Sequence, residues 1–348
     1  MDAPAVPSDP IPASSWMHGL VVRVEGLPAP TWAVLLGVFA LSALLMHLLP
    51  WTKGSVPFGE FDPASAVWGA LLPVLLWISA DLERVAARAF DAFRPALTLP
   101  PDAAERLRTD LIVVPARPAL VVTAIALLAN VGSFATDPVT YTINVPPLVV
   151  AFVFLYQALI ISLMFEILYR LIRQSRLIRR TLDEDVAIDV FRPHALHAFA
   201  TLAARPGILL CIMVAASVPV TPPPDSVGAF LVGVAPFIFV PPMVAVAAFV
   251  LPLAGAHERL AGQKAMLQDA AELRLQATLA NLNRDVDAGE VGRADGLNKT
   301  IASLVAQREI LARLPTWPWS AGTVRGLGSA ILLPLMIFLA QQALGRLF

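Results

Sequence analysis

Seven long apolar blocks divide the chain: 31–49, 65–80, 118–135, 146–164, 202–220, 228–254 and 322–344. Each approaches or exceeds the roughly 20 residues that a helix needs to cross the hydrocarbon of a bilayer. The pattern therefore predicts an all-α, polytopic membrane protein with about seven transmembrane helices. The second block is short, and the fifth is interrupted at its start by Arg205, Pro206 and Gly207. Residues 1–28 are Pro-rich and contain one candidate short interfacial helix, around Trp16 to Val24. They lack a basic region followed by a cleavage site, so no signal peptide is read.

Between the blocks the polar residues are unevenly shared. Of the 25 Lys and Arg, 22 fall in the three segments that follow the second, fourth and sixth blocks, counting Arg205 and Arg325 at the entrances of the fifth and seventh. Basic residues mark the cytoplasmic side, which predicts an inside N-terminus and an outside C-terminus. This is the reverse of the G-protein-coupled receptor topology. Two of these segments continue the helical period beyond the bilayer. After the fourth block the pattern runs without Pro or Gly from Phe165 to Arg180, and after the sixth it runs from His257 to Arg284 with apolar positions at Leu260, Leu267, Ala271, Leu275, Leu279 and Leu282. A turn at 287–290 and a second helix from Val291 to Leu314 complete a predicted cytoplasmic hairpin, which carries eight basic and eight acidic residues. Its apolar stripes need a partner, since two helices alone bury little. The chain then re-enters the membrane through Pro315-Thr-Trp-Pro-Trp319, where Trp317 and Trp319 read as an interfacial anchor and Ser320 as the cap of the last helix. The expected organisation is an N-terminal segment (1–28), a six-span region (29–256), the hairpin (257–314) and the turn with the seventh span (315–348).

Composition agrees with this division. The chain of 348 residues is 57% hydrophobic and 15% charged, with a net charge of −1. Disorder, fibrous repeats and a disulfide scaffold are excluded, and no nucleic-acid partner or cofactor is expected. Cys211 is the sole cysteine and has no internal partner. No set of nucleophile, base or metal ligands converges, so the chain reads as a non-enzyme without a metal site. His194 and His197, near Asp189, lack a further ligand, and Asp183, Glu184 and Asp185 read as solvated or locally paired charge. Asn298-Lys-Thr300 matches a glycosylation sequon but falls on the cytoplasmic side, where it has no meaning.

The middle thirds of the spans contain no ionisable residue, which argues against a pump built on buried carboxylates. Glu166 falls at the cytoplasmic end of the fourth span, and Arg205 and Arg325 fall at span entrances, where they can snorkel. The remaining candidates are uncharged or distort helices: Asn130, Ser133 and Gln157; Pro236, Pro241, Pro242 and Pro252 in the sixth span; Pro334, Gln341 and Gln342 in the seventh. Pro241 and Pro242 read as a paired kink, or as a break of the kind that opens a transporter cavity, and Pro334 as a further kink. In the seventh span Gly328, Leu335 and Gln342 are heptad-spaced on one face, with Gly326 and Ser329 allowing close approach near its start. Leu335 suits a hydrophobic constriction and Gln341/Gln342 a neutral polar ring. Helix packing in lipid would use the same residue types.

The arrangement resembles the seven-span ligand-gated channels of insect odorant and gustatory receptors. What it shares is the inside N-terminus, the extended fourth span, the sixth span running on as a cytoplasmic helix, and a second cytoplasmic helix leading into the last span. The resemblance covers about residues 31–348 and implies a homo-oligomer whose cytoplasmic helices anchor the subunits and whose last span lines a pore. Of that family's last-span pattern only a glutamine at the outer end is carried over. This sequence has Leu332-Leu-Pro-Leu-Met-Ile-Phe-Leu-Ala-Gln341-Gln342, without the Thr-Tyr pair and with Ala343 after the glutamines. Abundant Ala, Arg and Pro with few Lys also resemble a bacterial inner-membrane protein of an uncharacterised polytopic family. A non-conducting scaffold whose hairpin docks a cytoplasmic partner, and a transporter using the sixth span, are the alternatives.

Overall fold

The structure, a computed structural model, describes residues 14–136, 142, 144–184, 194–220, 228, 235–289 and 291–347. Among them ten α-helices are found: α1 (Trp16–Glu25), α2 (Thr31–Lys53), α3 (Pro63–Phe93), α4 (Pro101–Ile112), α5 (Ala116–Thr136), α6 (Pro147–Glu184), α7 (His194–Ser217), α8 (Ala235–Asp287), α9 (Val291–Arg313) and α10 (Ala321–Leu347). Seven of them, α2, α3, α5, α6, α7, α8 and α10, are long and apolar enough to cross a membrane. The protein is an all-α polytopic membrane protein, as the apolar blocks predict.

Helix length shows where chain must leave the hydrocarbon. At 1.5 Å per residue the 53 residues of α8 extend about 80 Å, against a hydrocarbon core of about 30 Å. Its C-terminal half therefore stands outside, where Gly289, at φ 78°, makes the left-handed turn into α9. Lys264 ties the far end of α9 back to α8, its Nζ donating to the carbonyls of Ala312 at 2.8 Å and Leu314 at 2.9 Å. The 38-residue α6 likewise overruns the bilayer at the same end, where Arg259 of α8 bonds the carbonyl of Leu182.

Two spans run differently from the pattern of apolar residues. The second apolar block stops at Ala80, yet α3 continues to Phe93. Its last turns are amphipathic, and Ala86, Ala89, Phe90 and Phe93 are buried against Leu111, Leu196 and Phe199 in the core at the hairpin end. The fifth block is interrupted at Arg205-Pro-Gly207, yet α7 begins at His194 and runs through Pro206. It is the most enclosed span, packed among α3, α8 and α10. Its alanines and glycine permit this: a Cβ on Gly207 would lie 2.5 Å from the Cβ of Ala245 in α8. Helix α8 also continues without interruption through Pro241, Pro242 and Pro252.

Small residues set the other close contact. A Cβ on Gly69 of α3 would lie 2.4 Å from the Cα of Ala43 in α2. The approach lets Ser42 Oγ donate to the carbonyl of Gly69 at 2.6 Å, and the Tyr156 hydroxyl of α6 donates to the same oxygen at 3.0 Å. Asn130 and Gln157 serve packing too, joining α5 to α6 through Phe154 O and Ser133 Oγ. At the end away from the hairpin, Asp62 caps α3 by accepting from the N–H groups of Ala64 and Ser65. His47 accepts from the N–H of Asp62 at 3.0 Å through Nε2, while Nδ1 bonds the carbonyl of Ala43 at 2.7 Å. The short helix expected near Trp16 forms as α1. It is docked rather than free: Met17 and Val21 are buried, Ser15 N–H donates to Val114 O, and Trp16 Nε1 donates to Thr123 Oγ1.

Candidate functional site

Two regions hold the residues from which function can be argued. The first is α10 with the turn that precedes it. Ser320 caps α10 by accepting from Thr323 N–H at 3.1 Å. The two tryptophans of the turn stack rather than stand side by side. Trp319 lies 5.1 Å from Phe249 of α8 and 4.2 Å from Trp317, which in turn lies 3.7 Å from the His257 ring at an interplanar angle of 6°. His257 also hydrogen-bonds the carbonyl of Thr316. Four rings thus link the base of the external helix to the start of the last span, although α8 and α10 themselves meet little.

Along α10, Leu327, Ala330 and Pro334 are buried, and Ile337 and Phe338 pack on Val214, Val218 and Ile238. With 100° per residue, these positions form one face. Gly328, Leu335 and Gln342 form another, joined by Leu332 and Leu339, both more than half exposed. Gly328, Leu335 and Gln342 are themselves half-buried. Gln341 belongs with the packed face and reaches Pro219 O at 3.4 Å. The nominated residues therefore separate: the heptad set shares a half-buried face beside the packed one, and Gln341 does not join it.

The second region lies at the hairpin end of the bundle and escaped sequence reasoning. Asp81 of α3 pairs with Arg205 of α7 at 2.8 Å. This replaces the snorkelling expected of Arg205 with an interhelical bond. Two residues on, Glu83 accepts from Arg170 Nη2 of α6 at 2.9 Å and meets His18 Nδ1 of α1 at 3.0 Å. Arg173 pairs with Asp110 and also binds the carbonyls at the end of α4, while Gln174 Nε2 donates to Leu111 O at 2.8 Å. These side chains close the C-terminus of α4, whose carbonyls have no intrahelical donors.

Glu166 lies one helical turn before Arg170 and is fully buried. The Ser15 hydroxyl, Arg170, Glu83 and His18 all act on it, yet neither carboxylate oxygen has a hydrogen-bond partner. Arg170 Nε and Nη1 and Gln174 Oε1 are also unpartnered. Glu166, Arg170 and Gln174 are spaced by four, so a polar stripe runs along one buried face of α6. The i, i+4 spacing of Glu166 and Arg170 was a usable signal in the sequence. The partners on α3 and α1 left none.

No group of three metal-ligating side chains occurs among the described residues. Asp185 and Asp189, and the side chains of Asp183, Glu184, His194 and Pro236, lie outside what is described. No protein-family model matches the chain, and no curated protein or solved structure matches it.

Proposed function

We propose that this is a non-enzymatic, channel-like or receptor-like membrane protein that works as a homo-oligomer, with α10 lining a pore and the α8–α9 hairpins holding the subunits together. The partly open heptad face of α10 carries the reading. A pore helix fastens one face to its own bundle and leaves another for the axis, and the exposed Leu332 and Leu339, with the half-buried Gly328, Leu335 and Gln342 beside them, supply such a face. Leu335 then forms an apolar constriction and Gln342 a neutral ring toward one mouth. Outside the bilayer, Met266, Leu273, Val286 and Ile310 are exposed on the hairpin, apolar surface of the kind that marks an interaction site. The balanced charge of the hairpin suits a second copy of the same surface. By the distribution of Lys and Arg the hairpin faces the cytoplasm of a bacterial inner membrane.

The experiment is conductance of reconstituted protein together with its mass in nanodiscs. A symmetric oligomer whose conductance changes with Leu335→Asp or Gln342→Ala is the expected result. A conducting preparation indifferent to both substitutions removes the pore assignment. The same exposed hairpin residues favour a second reading, a non-conducting scaffold that docks a cytoplasmic partner. A monomer without conductance would favour that reading over the first.

A further inference from the structure

We propose that the buried cluster of Ser15, His18, Glu83, Glu166 and Arg170 is a proton-binding site, with Glu166 as the proton's host, and that its occupancy holds α1 against the bundle. The argument begins with charge. Glu83 and Glu166 contribute two negative charges and Arg170 one positive. With His18 neutral the cluster carries one uncompensated negative charge, and one added proton makes it neutral. An unbalanced charge in a low-dielectric interior is expensive, so the closed arrangement calls for that proton.

Geometry selects the host. Both oxygens of Glu83 are engaged, one by Arg170 and one by His18. The imidazole of His18 is 24% exposed, so water reaches it. Glu166 is 0% exposed and has no hydrogen-bond partner at either oxygen. A carboxylate there has the Ser15 hydroxyl and Arg170 nearby but no hydrogen bond formed at either oxygen, whereas a carboxylic acid needs fewer donated bonds and carries no charge. Every charged group acting on Glu166 is accounted for: Arg170 on α6 itself, Glu83 from α3 and His18 from α1. Asp110 of α4 and Arg205 of α7 are engaged with Arg173 and Asp81.

Position gives the site access to water. Glu166 follows the start of α6 by 19 residues and Glu83 follows the start of α3 by 20, about 28–30 Å along each helix. Both therefore sit at the hairpin-side edge of the hydrocarbon, beneath α1. That helix contributes His18 directly, and Ser15 at its N-cap faces Glu166. Loss of the proton leaves Glu166 ionised with no hydrogen bond formed at either oxygen, a charge that water entering between α1 and the bundle would solvate. Deprotonation thus loosens α1, and protonation seals it.

The test uses full-length protein in nanodiscs. Infrared difference spectroscopy follows the carbonyl stretch of a protonated carboxylic acid through a pH titration. Double electron–electron resonance follows the distance between spin labels at Val22 and Leu120, both exposed, with Cys211→Ala removing the native thiol. The expected result is an acid band that disappears as the pH rises, together with a broadened or longer α1 distance. Glu166→Gln removes the band and keeps the short, narrow distance at every pH. As a second variant, His18→Gln keeps the band, because the proton's host is intact. A band that survives Glu166→Gln, a band lost in His18→Gln, or a wild-type distance indifferent to pH would each overturn the proposal.

Discussion

Replacing Gly69 with alanine is a sharp test of the helix packing, because the added atom has nowhere to go. Its Cβ would stand 2.4 Å from the Cα, 2.6 Å from the N and 2.9 Å from the Cβ of Ala43. Two of these three are backbone atoms of a helix and cannot turn aside as a flexible side chain would. Restoring ordinary contact requires α2 and α3 to separate by roughly 1 Å, an overpacking cost of about 1–3 kcal/mol. Separation also stretches the bonds that Ser42 and Tyr156 make to Gly69 O, each contributing about 0.5–1.5 kcal/mol. Against this, alanine is favoured over glycine in a helix by about 1 kcal/mol. The balance is a net loss of about 1–5 kcal/mol, from overpacking and hydrogen bonds less helix propensity. Thermal unfolding of purified protein in nanodiscs reads it as a lower Tm. Gly37→Ala, in the same helix as Ala43 and with nothing within 4 Å of its added Cβ, should be neutral or mildly stabilising. Adding Ala43→Gly to Gly69→Ala should not restore stability, since the clashes with Cα and N remain. A Tm for Gly69→Ala at or above wild type would refute the close approach of α2 and α3.

Three further outcomes follow from particular contacts. Arg205→Leu strands Asp81, whose carboxylate is largely buried, and should destabilise by up to about 3 kcal/mol, toward the low end of the range for broken buried pairs because the arginine is partly exposed; Asp81→Leu in the same chain should recover much of that loss, and equal Tm values for single and double variants would dismiss the pair. Trp317→Ala removes two stacked partners, His257 and Trp319, at about 0.5–1.5 kcal/mol each, and hydrogen exchange at 315–320 should quicken while that of α2 does not change. At Asp62, burial alone would raise the pKa, but hydrogen bonds from the Ser65 hydroxyl and the N–H groups of Ser65 and Ala64, with His47 nearby, outweigh it and hold the carboxyl below its ordinary value. Its contribution is therefore complete above the unfolded value of about 3.9 and is lost as pH falls through the lower folded value; Asp62→Asn, which still caps a helix, should flatten this acid dependence, and coincident acid-unfolding curves would count against it.

The seven spans were legible because lipid demands a run of about 20 apolar residues, a requirement that acts on each segment alone. The hairpin was legible for a related reason: the spacing of Leu260, Leu267, Leu275 and Leu282 and the turn before Val291 are local signals. What escaped notice depended on distant parts of the chain. In the sequence the second apolar block stops where Asp81 and Glu83 interrupt the run, but these two charges meet Arg205, Arg170 and His18 from three other helices. Pro206 looked like a break, and neighbouring helices hold α7 together around it. On α10 the heptad face of Gly328, Leu335 and Gln342 was visible in the sequence. That Gln341 turns away to Pro219 was not, because the 3-10 turn at Val218–Val220 that receives it comes from another span.

The length of α8 gives the molecule a lever. From His257 to Asp287 the helix projects about 45 Å at 1.5 Å per residue, and Lys264 fastens the end of α9 to it. Were the two helices to tilt together as a single arm at the ring stack, about 5° would carry the tip through about 4 Å, roughly three-quarters of a helical turn, so a rearrangement too small to disturb the packing of α7 would shift the distal surface of the hairpin by most of a side-chain spacing.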